Sequence, residues 1–411
     1  MNAKIEITRP LINGKIHLAG SKSISNRLLI LQALSGHKNI LKNLSDSDDT
    51  TELQKALSSK DTTIDVGIAG TAMRFLTAYY ALRGSEVILT GASRMKQRPI
   101  KGLVDALCSL GADIEYMEHE GFPPLKIKGG NLMGGLLQMK ADVSSQFISA
   151  ILMIAPYFEK GIQLKLIGEV LSRPYIEMTL SLMEKQGVPY QWVEDTISIL
   201  PGNYQNNITR VESDWSSISY MFELVALSDF GCIQLTQVDE FSAQGDQEVM
   251  YYFDFFGVDS NIEKGVLTLR KKSRFELPKL LELDCLKTPD LAQTLAATAC
   301  GLGVRMMLTG LKSLPIKETD RLMALKNELE KCGAQVQIIN NEALDIIPGV
   351  ELLNRSFNFE TYGDHRMALC LAPLALKAKS VTLNNPMVVN KSYKSYWEDL
   401  KIFSFNIELI K

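Results

Sequence analysis

The chain has 411 residues, of which 46% are hydrophobic and 22% are charged, and its formal net charge is −3. This balance is typical of a globular protein and argues against a general role on nucleic acids or membrane surfaces, which would show a basic excess. At about 100–200 residues per domain, the length predicts two or three domains. The most apolar stretch, 147–158, is shorter than the roughly 20 residues that span a membrane. Because the first residues also lack the apolar core of a signal peptide, we expect a cytoplasmic protein.

The six cysteines carry no signature of metal or redox chemistry. No two of them form a CxxC pair, the spacing that zinc sites and thioredoxin-like motifs use. We therefore expect reduced thiols, no metal site and no cofactor.

Six segments along the chain look like helix starts. Each carries Ser, Thr or Asp where a helix N-cap belongs and then runs into apolar periodic sequence. The first step between them is about 50 residues and the later steps are about 72–75, which indicates an internal repeat. In chain order, the segments are 20–27, 69–74, 141–146, 212–217, 287–291 and 362–367.

A second pattern marks helix ends at about the same period. Each time, an apolar helix end is followed by a glycine and a short apolar strand, and a positive φ is favoured at such a position. The glycines are Gly111, Gly187, Gly257 and Gly333. Six units of strands and helices predict an α/β protein of two domains with three units each, divided near residues 210–212. A single elongated solenoid is the alternative.

The first helix start combines Lys22 and Arg27 with the unpaired N–H groups and the positive dipole end of a helix, which suits phosphate. A capped helix with solvated cations is the alternative. A nucleotide P-loop is excluded, because Ser21 rather than lysine follows Gly20 and no matching glycine stands five residues earlier.

Two later segments offer further groups for anions. Residues 94–100 contain three cations within five positions, and residues 144–146 offer two hydroxyls and an amide at a helix start. A solvated loop and simple helix capping are the alternatives. Their place in the same repeat as the first helix start favours ligand binding.

The most densely charged segment is 316–322. Lys317 and Arg321 are four residues apart, which predicts that they share one helix face. Glu318 lies beside them, and a carboxylate in a cationic pocket suits acid–base catalysis. An ion-pair network at a helix start is the alternative. Residues 363–366 place His365 beside a further arginine at another helix start.

With these segments assembled, the chain resembles the EPSP synthase family of enolpyruvyl transferases over nearly its whole length. The most specific matches are 20–27, 69–74, 94–100, 317–321 and 363–366. The related cell-wall enolpyruvyl transferases, which use UDP-N-acetylglucosamine, are one alternative, but they carry Lys-Asn where this chain has Lys22-Ser23. They also have a cysteine in the cationic loop, which this chain lacks. A non-catalytic phospholigand-binding protein of the same fold is the other alternative.

The resemblance implies two similar globular domains, each of three βαβαββ units, in an inside-out α/β barrel fold with the active site in the interdomain cleft. One domain would be discontinuous, 1–20 plus 212–411, with 21–211 inserted as the other. The implied reaction transfers the enolpyruvyl group of phosphoenolpyruvate to the 5-hydroxyl of shikimate 3-phosphate and releases phosphate, by addition and then elimination. The implied enzyme is a monomer without cofactor, nucleic-acid partner or membrane partner.

Matched position by position, the resemblance also implies roles for single residues. Asp290 would accept the hydroxyl proton, and Glu318, with Lys22, would move the proton at the methylene carbon. Shikimate 3-phosphate would be bound by Lys22, Ser23, Arg27, Ser144, Ser145, Gln146, Ser172, Tyr175, Asp290, Ser313 and Lys317. Phosphoenolpyruvate would be bound by Lys22, Gly70, Arg98, Gln146, Arg321, Arg366 and Lys391.

Four positions depart from the usual family pattern. Ile68 and Ser313 stand where asparagine is usual, Pro315 where arginine is usual, and Lys394 where proline is usual. These departures bear on local geometry and not on the class of reaction. Gly70 and the cationic loop resemble those of family members that glyphosate inhibits in competition with phosphoenolpyruvate, so we expect this chain to be sensitive to glyphosate.

Overall fold

The computed structural model describes residues 1–8, 11–37, 40–84, 86–141, 144–205, 207–349 and 352–410. Within these ranges, no helix is both long enough and apolar enough to cross a membrane. Residues 142 and 143 of the third predicted helix start lie outside the described part. The chain divides into two compact units, which we call unit 1 (Met1–Ala19 with Glu212–Lys411) and unit 2 (Gly20–Val211).

The helices and strands alternate along both units. The helices are α1 Lys22–Ser35, α2 Asp48–Ser58, α3 Gly70–Arg83, α4 Lys101–Ser109, α5 Ser145–Ile154, α6 Arg173–Lys185, α7 Trp215–Leu227, α8 Val249–Asp254, α9 Ala292–Leu302, α10 Arg321–Lys331, α11 His365–Leu371 and α12 Tyr396–Ile402. The strands are β1 Asn2–Ile7, β2 Leu11–His17, β3 Thr63–Asp65, β4 Val87–Thr90, β5 Asp113–Tyr116, β6 Leu125–Gly129, β7 Gly135–Lys140, β8 Ile162–Ile167, β9 Tyr190–Val193, β10 Thr196–Ile199, β11 Phe230–Thr236, β12 Val258–Glu263, β13 Val266–Lys271, β14 Leu280–Asp284, β15 Arg305–Thr309, β16 Gln335–Ile339, β17 Ala343–Ile347, β18 Ser356–Phe359, β19 Ser380–Asn384 and β20 Phe405–Ile410.

Five four-stranded sheets share one connection pattern, βαβαββ. In each, the first two strands are parallel, and the fourth strand of the repeat pairs antiparallel with both the second and the third. Unit 2 contains the orders β3-β4-β6-β5 and β7-β8-β10-β9, and unit 1 contains β2-β11-β13-β12, β14-β15-β17-β16 and β18-β19-β1-β20. In the last sheet, β1 from the start of the chain serves as the fourth strand of the repeat and lies between β19 and β20. The predicted α/β repeat architecture is confirmed.

The first repeat of unit 2 is reduced in its strands. Its helices α1 and α2 are accompanied, in the described part of this segment, by a single parallel bridge between Lys42 and Arg210 in place of a four-stranded sheet. The missing strands explain why the first spacing of the sequence repeat is only about 50 residues, since a repeat with fewer strands needs fewer residues.

The first helix of each repeat is buried on nearly all sides. Every residue of α5 except Gln146 is buried, and so is every residue of α7 except Ser216. Helix α3 packs against α5 in unit 2, and α9 packs against both α7 and α11 in unit 1. The strands alternate between buried and exposed residues, as in β8, so each sheet covers these helices with one face and meets solvent with the other. The two exceptions, Gln146 and Ser216, are polar and lie in the first turns of their helices.

The predicted helix ends are confirmed, and the predicted starts are confirmed in part. Gly111, Gly187, Gly257 and Gly333 all have positive φ, as the position after a helix favours. The side chains of Ser144, Asp214 and Asp364 cap α5, α7 and α11. Helices α1 and α3 have no side-chain cap bond, and α9 begins only after a 3₁₀ turn at Pro289–Leu291. At these three starts the predicted side-chain caps were wrong. Ala69 before α3 and Leu291 before α9 have no capping group, and Ser21 before α1 makes no cap bond, so amide donors stay open to other acceptors.

Glu223 on α7 supports a prediction about stability. It is fully buried, and neither carboxyl oxygen has a hydrogen-bond partner among the described residues. Burial raises the pKa of Glu223 well above its ordinary value of 4.5, so the folded protein keeps this proton while the unfolded chain releases it. Stability is therefore lost as the pH rises above the unfolded pKa.

We expect Glu223→Gln to raise Tm at pH 8 by about 2–4 °C, the change expected for about 1 kcal/mol in a domain of about 150–250 residues. At pH 4.5 most of the gain should vanish, because Glu223 is then about half protonated in the unfolded chain too. Thermal unfolding at both pH values measures this. Glu282→Gln, on the exposed face of β14, is the control and should leave the difference between the two pH values unchanged. A gain for Glu223→Gln that is equal at both pH values would contradict the linkage.

Candidate active site

Unit 1 gathers charged groups around Arg321, the first residue of α10. The helix begins there because Asp320 accepts hydrogen bonds from the backbone N–H groups of Leu322 and Met323. The Arg321 side chain is 1% exposed, and its guanidinium bonds three carboxylates. The distances are 2.8 Å from Nε to Asp364 Oδ2, 2.9 Å from Nη1 to Asp290 Oδ1 and 2.9 Å from Nη2 to Glu318 Oε2. Although burial opposes the charge, these carboxylates together raise the pKa of Arg321, so it stays a cation.

Two more buried cations complete this cluster. Arg366 Nη2 lies 2.8 Å from Asp290 Oδ2, and Lys391 Nζ lies 2.8 Å from Glu318 Oε1. Each of the two candidate acid–base residues is therefore held between two cations, Asp290 by both arginines and Glu318 by Arg321 and Lys391. Such charge-assisted bonds fix the two carboxylates in place.

Lys317 lies near this cluster and pairs with no carboxylate among the residues that the structure describes. Burial lowers its pKa, against the attraction of Asp290. No carboxylate oxygen lies within 4 Å of its Nζ in the described ranges. The Ser313 hydroxyl is also buried without a hydrogen-bond partner in those ranges. Both groups are thus available to a polar, anionic ligand.

Unit 2 places Arg27 where four helices meet. From α1, its guanidinium donates to Thr179 Oγ1 at 2.7 Å and the Tyr175 carbonyl at 3.2 Å on α6, and to Ser149 Oγ at 3.3 Å on α5. Its Cζ lies 5.4 Å from the ring centroid of Phe75 on α3. Burial lowers the pKa of Arg27 to about 10, and no carboxylate within the described ranges pairs with it at 4 Å or less. A buried cation held only by neutral groups is an electrostatic site for an anion.

Lys22 precedes Arg27 by little more than one turn, at the uncapped start of α1. Its Nζ lies 3.6 Å from Oδ2 of Asp49, a buried residue in the first turn of α2. The two helices are tied together beside this pair, since Thr50 Oγ1 donates to Asn26 Oδ1 at 2.8 Å. Lys22 is therefore ordered before any ligand arrives.

Helices α3 and α5 bring the remaining unit 2 groups together. Gly70 begins α3, and a Cβ there would lie 2.3 Å from Arg98 Nη1, so the arginine rests directly on the glycine. Gln146 Nε2 donates to Thr71 Oγ1 at 3.2 Å, which links the first turns of the two helices. The Ser144 hydroxyl accepts from the Gln146 backbone N–H at 3.4 Å. Lys22, Gly70 and Gln146 thus lie in the first turns of three helices, where backbone dipoles favour anions. Together with Arg27, Arg98 and the serines beside them, they form the unit 2 cluster.

Comparison with known proteins assigns the chain to a family. The family model described as EPSP synthase (3-phosphoshikimate 1-carboxyvinyltransferase) matches residues 7–59 and 52–400. The chain belongs to the EPSP synthase family.

Curated relatives match this chain along nearly its full length and support the same family. A 3-phosphoshikimate 1-carboxyvinyltransferase from Bacteroides fragilis (strain YCH46) is 44% identical over 400 residues, which cover 97% of this chain and 97% of the relative. One from Aliivibrio salmonicida (strain LFI1238) is 37% identical over 425 residues, covering 96% and 97%. A solved structure of an EPSP synthase from Acinetobacter baumannii superposes with a TM-score of 0.79 at 18% identity, covering 99% of this chain and all of that chain, which shows the shared fold. The resemblance drawn from the motifs is confirmed.

Within this EPSP synthase family member, one predicted local geometry was wrong. Lys317 and Arg321 do not share a helix face, because α10 begins only at Arg321 and Lys317 follows a 3₁₀ turn at Leu314–Ile316. The N-cap at Asp320 sets the helix start four residues later than the spacing predicted. Lys317 instead approaches Asp290 through the tertiary structure.

The remaining predicted site residues fall into the two clusters or beside them. Ser23 accepts from Arg27 Nη1 through its backbone carbonyl at 2.9 Å. Ser145 is buried in the first turn of α5, and Ser172 precedes α6 with a φ of 54°. His365 is buried beside Asp364, with 3.7 Å between Nδ1 and Oδ1. No group of three or more His, Cys, Asp or Glu side chains in the described ranges could hold a metal ion.

Sequence reasoning missed several acidic residues that belong to the clusters. Asp246 is buried, accepts a hydrogen bond from Ser216 Oγ and lies close to Asp290. Burial, reinforced by the Asp290 charge, raises the pKa of Asp246 to about 7. Asp49 was missed as the partner of Lys22, and Asp364 was expected only as a helix cap. Asp246 and Asp49 lie in segments without a recognised motif, and the pairing of Asp364 with Arg321 spans 43 residues, so local spacing gave no signal for these contacts.

Proposed function

We propose that this chain is a 3-phosphoshikimate 1-carboxyvinyltransferase, which transfers the enolpyruvyl group of phosphoenolpyruvate to the 5-hydroxyl of shikimate 3-phosphate. The observation that carries the proposal is a set of cations without carboxylate partners within 4 Å in the described ranges: Arg27, Arg98 and Lys317. A cation without a counter-ion in the protein favours anion binding, most strongly where it is buried, as Arg27 is. Both proposed substrates bring phosphate and carboxylate groups, and so would supply that charge.

Acid–base groups support a reaction in place of binding alone. The 5-hydroxyl must lose a proton as its oxygen bonds to carbon 2 of phosphoenolpyruvate, and the methylene carbon must gain one. We assign the first proton to Asp290 and the second to Glu318 acting with Lys22. In the elimination step, the same carbon gives its proton back while the bond to phosphate breaks. The cations around Asp290 and Glu318 hold both groups in fixed positions through these transfers.

The family match and the cluster geometry support the substrate contacts that we propose. For shikimate 3-phosphate we propose Lys22, Ser23, Arg27, Ser144, Ser145, Gln146, Ser172, Tyr175, Asp290, Ser313 and Lys317. For phosphoenolpyruvate we propose Lys22, Gly70, Arg98, Gln146, Arg321, Arg366 and Lys391. A monomer that acts in the cytoplasm stays a prediction.

Phosphate release from phosphoenolpyruvate tests the function directly. We expect release with shikimate 3-phosphate as the acceptor and none with UDP-N-acetylglucosamine. Turnover only with the sugar nucleotide would overturn the proposal in favour of the cell-wall reaction. If neither acceptor is turned over but both shikimate 3-phosphate and phosphoenolpyruvate bind, the chain is a binding protein of the same fold.

Gly70 carries a prediction about phosphoenolpyruvate affinity. A Cβ at this position would lie 2.3 Å from Arg98 Nη1, so Gly70→Ala must move the guanidinium. Because a displacement of about 1 Å can cost up to ~10²-fold, we expect the KM for phosphoenolpyruvate to rise by about 10-fold or more. Millimolar glyphosate should inhibit the wild type at low phosphoenolpyruvate, and it should inhibit this variant less.

The matched control is Gly102→Ala in α4. Its Cβ would meet Phe147 at an ordinary contact distance of 3.6 Å. We expect its KM for phosphoenolpyruvate to equal that of the wild type. An unchanged KM in Gly70→Ala would contradict the proposed role of Arg98.

A further inference from the structure

A tight turn precedes α11 and carries one of the carboxylates around Arg321. The backbone N–H of Asp364 donates to the carbonyl of Thr361 at 2.8 Å, which closes the turn. Tyr362 and Gly363, its two central residues, have φ of 54° and 66°. Glycine adopts this left-handed conformation freely, but a tyrosine in it is strained. Some other contact must therefore hold Tyr362 in place.

That contact is Glu328 on α10. Its side chain is 0% exposed and accepts three hydrogen bonds. Oε1 accepts from the Tyr362 hydroxyl at 2.6 Å, and Oε2 accepts from the Glu360 backbone N–H at 2.9 Å and from Lys331 Nζ at 2.6 Å. One buried carboxylate thus binds the turn through both a backbone and a side-chain donor, on either side of Thr361.

The turn delivers Asp364 to the charged cluster. Asp364 is fully buried, caps α11 through the backbone N–H of Arg366 at 2.9 Å, and binds Arg321 Nε at 2.8 Å. Arg321 and Glu328 both belong to α10, two turns apart. The contacts therefore form a closed ring that runs from α10 through Glu328, Tyr362 and Asp364 back to Arg321. A change at Glu328 is transmitted to Arg321 by the turn as well as by the helix.

We propose that Glu328 and Tyr362 are positioning residues, which orient Asp364 and, through it, Arg321 for binding phosphoenolpyruvate. This role rests on the function proposed above, in which Arg321 binds that substrate. Glu328 lies outside the set of substrate-binding residues and touches none of the reacting groups through its three acceptor contacts. Its effect on the reaction is therefore on the geometry of Arg321.

Two conservative variants test this role. Tyr362→Phe removes only the hydroxyl, and Glu328→Gln replaces the acceptor of the two N–H donors and the hydroxyl by an amide. Loss of a hydrogen bond to a charged group corresponds to roughly a 10-fold effect or more, so we expect the KM for phosphoenolpyruvate to rise about 10-fold in each. The KM for shikimate 3-phosphate should rise less, since most of its proposed contacts lie in unit 2 and are untouched, and Asp290 keeps its bond to Arg366. The double variant should be little worse than the more affected single one, because both break the same contact.

Glu330→Gln is the matched control on the same helix. Glu330 is exposed and pairs only at the surface with Lys326 at 2.5 Å, so both KM values should match the wild type. Kinetics are measured well below Tm, and Tm is recorded for every variant. If Glu328→Gln does not fold, Tyr362→Phe decides the question alone.

The outcomes separate this role from the proposed function. Suppose that the wild type turns over both substrates and that the variants have a lower Tm but the wild-type KM for phosphoenolpyruvate. The contact would then be only structural, and the positioning role would be overturned. A wild type without turnover would overturn the proposed function and this role with it. A selective rise in the KM for phosphoenolpyruvate supports both.

Discussion

Glu318→Gln should lower kcat by a factor between about 10² and 10⁴, the usual contribution of a general acid–base group. The amide keeps the shape of the side chain and an oxygen that can still accept from Arg321 or Lys391. It cannot take up and return a proton at the methylene carbon. Because those cations stay in place, we expect the KM for phosphoenolpyruvate to change much less than kcat. Steady-state kinetics and direct substrate binding together measure the difference.

Asp290→Asn should show the same pattern, because it removes the proposed acceptor of the hydroxyl proton and keeps hydrogen-bonding atoms for Arg321 and Arg366. The alanine variants of Glu318 and Asp290 should also lose more kcat than binding, although they additionally leave neighbouring cations with fewer acceptors. Glu330→Gln provides the exposed control, with unchanged kcat. Equal losses in kcat and in substrate binding for the isosteric variants would contradict the catalytic roles and indicate binding roles instead.

Arg321→Met should have the largest effect on stability. The substitution removes the cation shared by Asp364, Asp290 and Glu318. The buried Asp364 then has no arginine side chain as a partner, while Asp290 keeps Arg366 and Glu318 keeps Lys391. Breaking a buried ion pair from one side costs about 3–5 kcal/mol. We expect the free energy of unfolding, measured in urea, to fall by about that amount, and the affinity for phosphoenolpyruvate to fall as well. Arg321→Lys should lie between, because an ammonium cannot reproduce the forked geometry of the guanidinium.

Arg305→Met is the matched control for burial. Arg305 Nη2 lies 2.8 Å from Asp345 Oδ2, the same separation as in the Arg321–Asp364 pair, but the arginine side chain is 47% exposed. An exposed pair contributes about 0–1 kcal/mol, so this variant should unfold nearly like the wild type. If Arg321→Met proved as stable as Arg305→Met, the buried cluster would not have the energetic role that its geometry indicates.

Much of the fold could be predicted because its signals are local. A glycine after a helix and a hydroxyl or carboxylate before one are recognised from a few adjacent residues. The repeat length is the spacing between such segments. These features predicted the α/β repeats, the position of the helix ends and the anion-binding character of the helix starts. The matched motifs predicted the family. The division into domains at 20 and 211 stays a prediction about which parts fold together.

The site was predictable as a set of residue types and not as a set of contacts. Lys22, Arg27, Glu318 and Arg321 stood out because cations and acids lie close together in their own segments. Asp246, Asp49 and Glu328 did not stand out. Each contacts a partner that is distant in the chain, or lies in a segment without a motif. The prediction that one helix carries both Lys317 and Arg321 was wrong for a related reason. Spacing alone could not show that Asp320 would take the N-cap position.

The sequence by itself determined the repeat, the fold class, the family and the kinds of side chain available for anions and protons. Only the tertiary structure decided which charges meet. Asp290 and Arg366 are 76 residues apart in the chain, and Arg321 and Asp364 are 43 apart. Their pairing depends on how the buried helices α9, α10 and α11 pack. Coulomb interactions depend on distance and burial, and neither is encoded by local spacing.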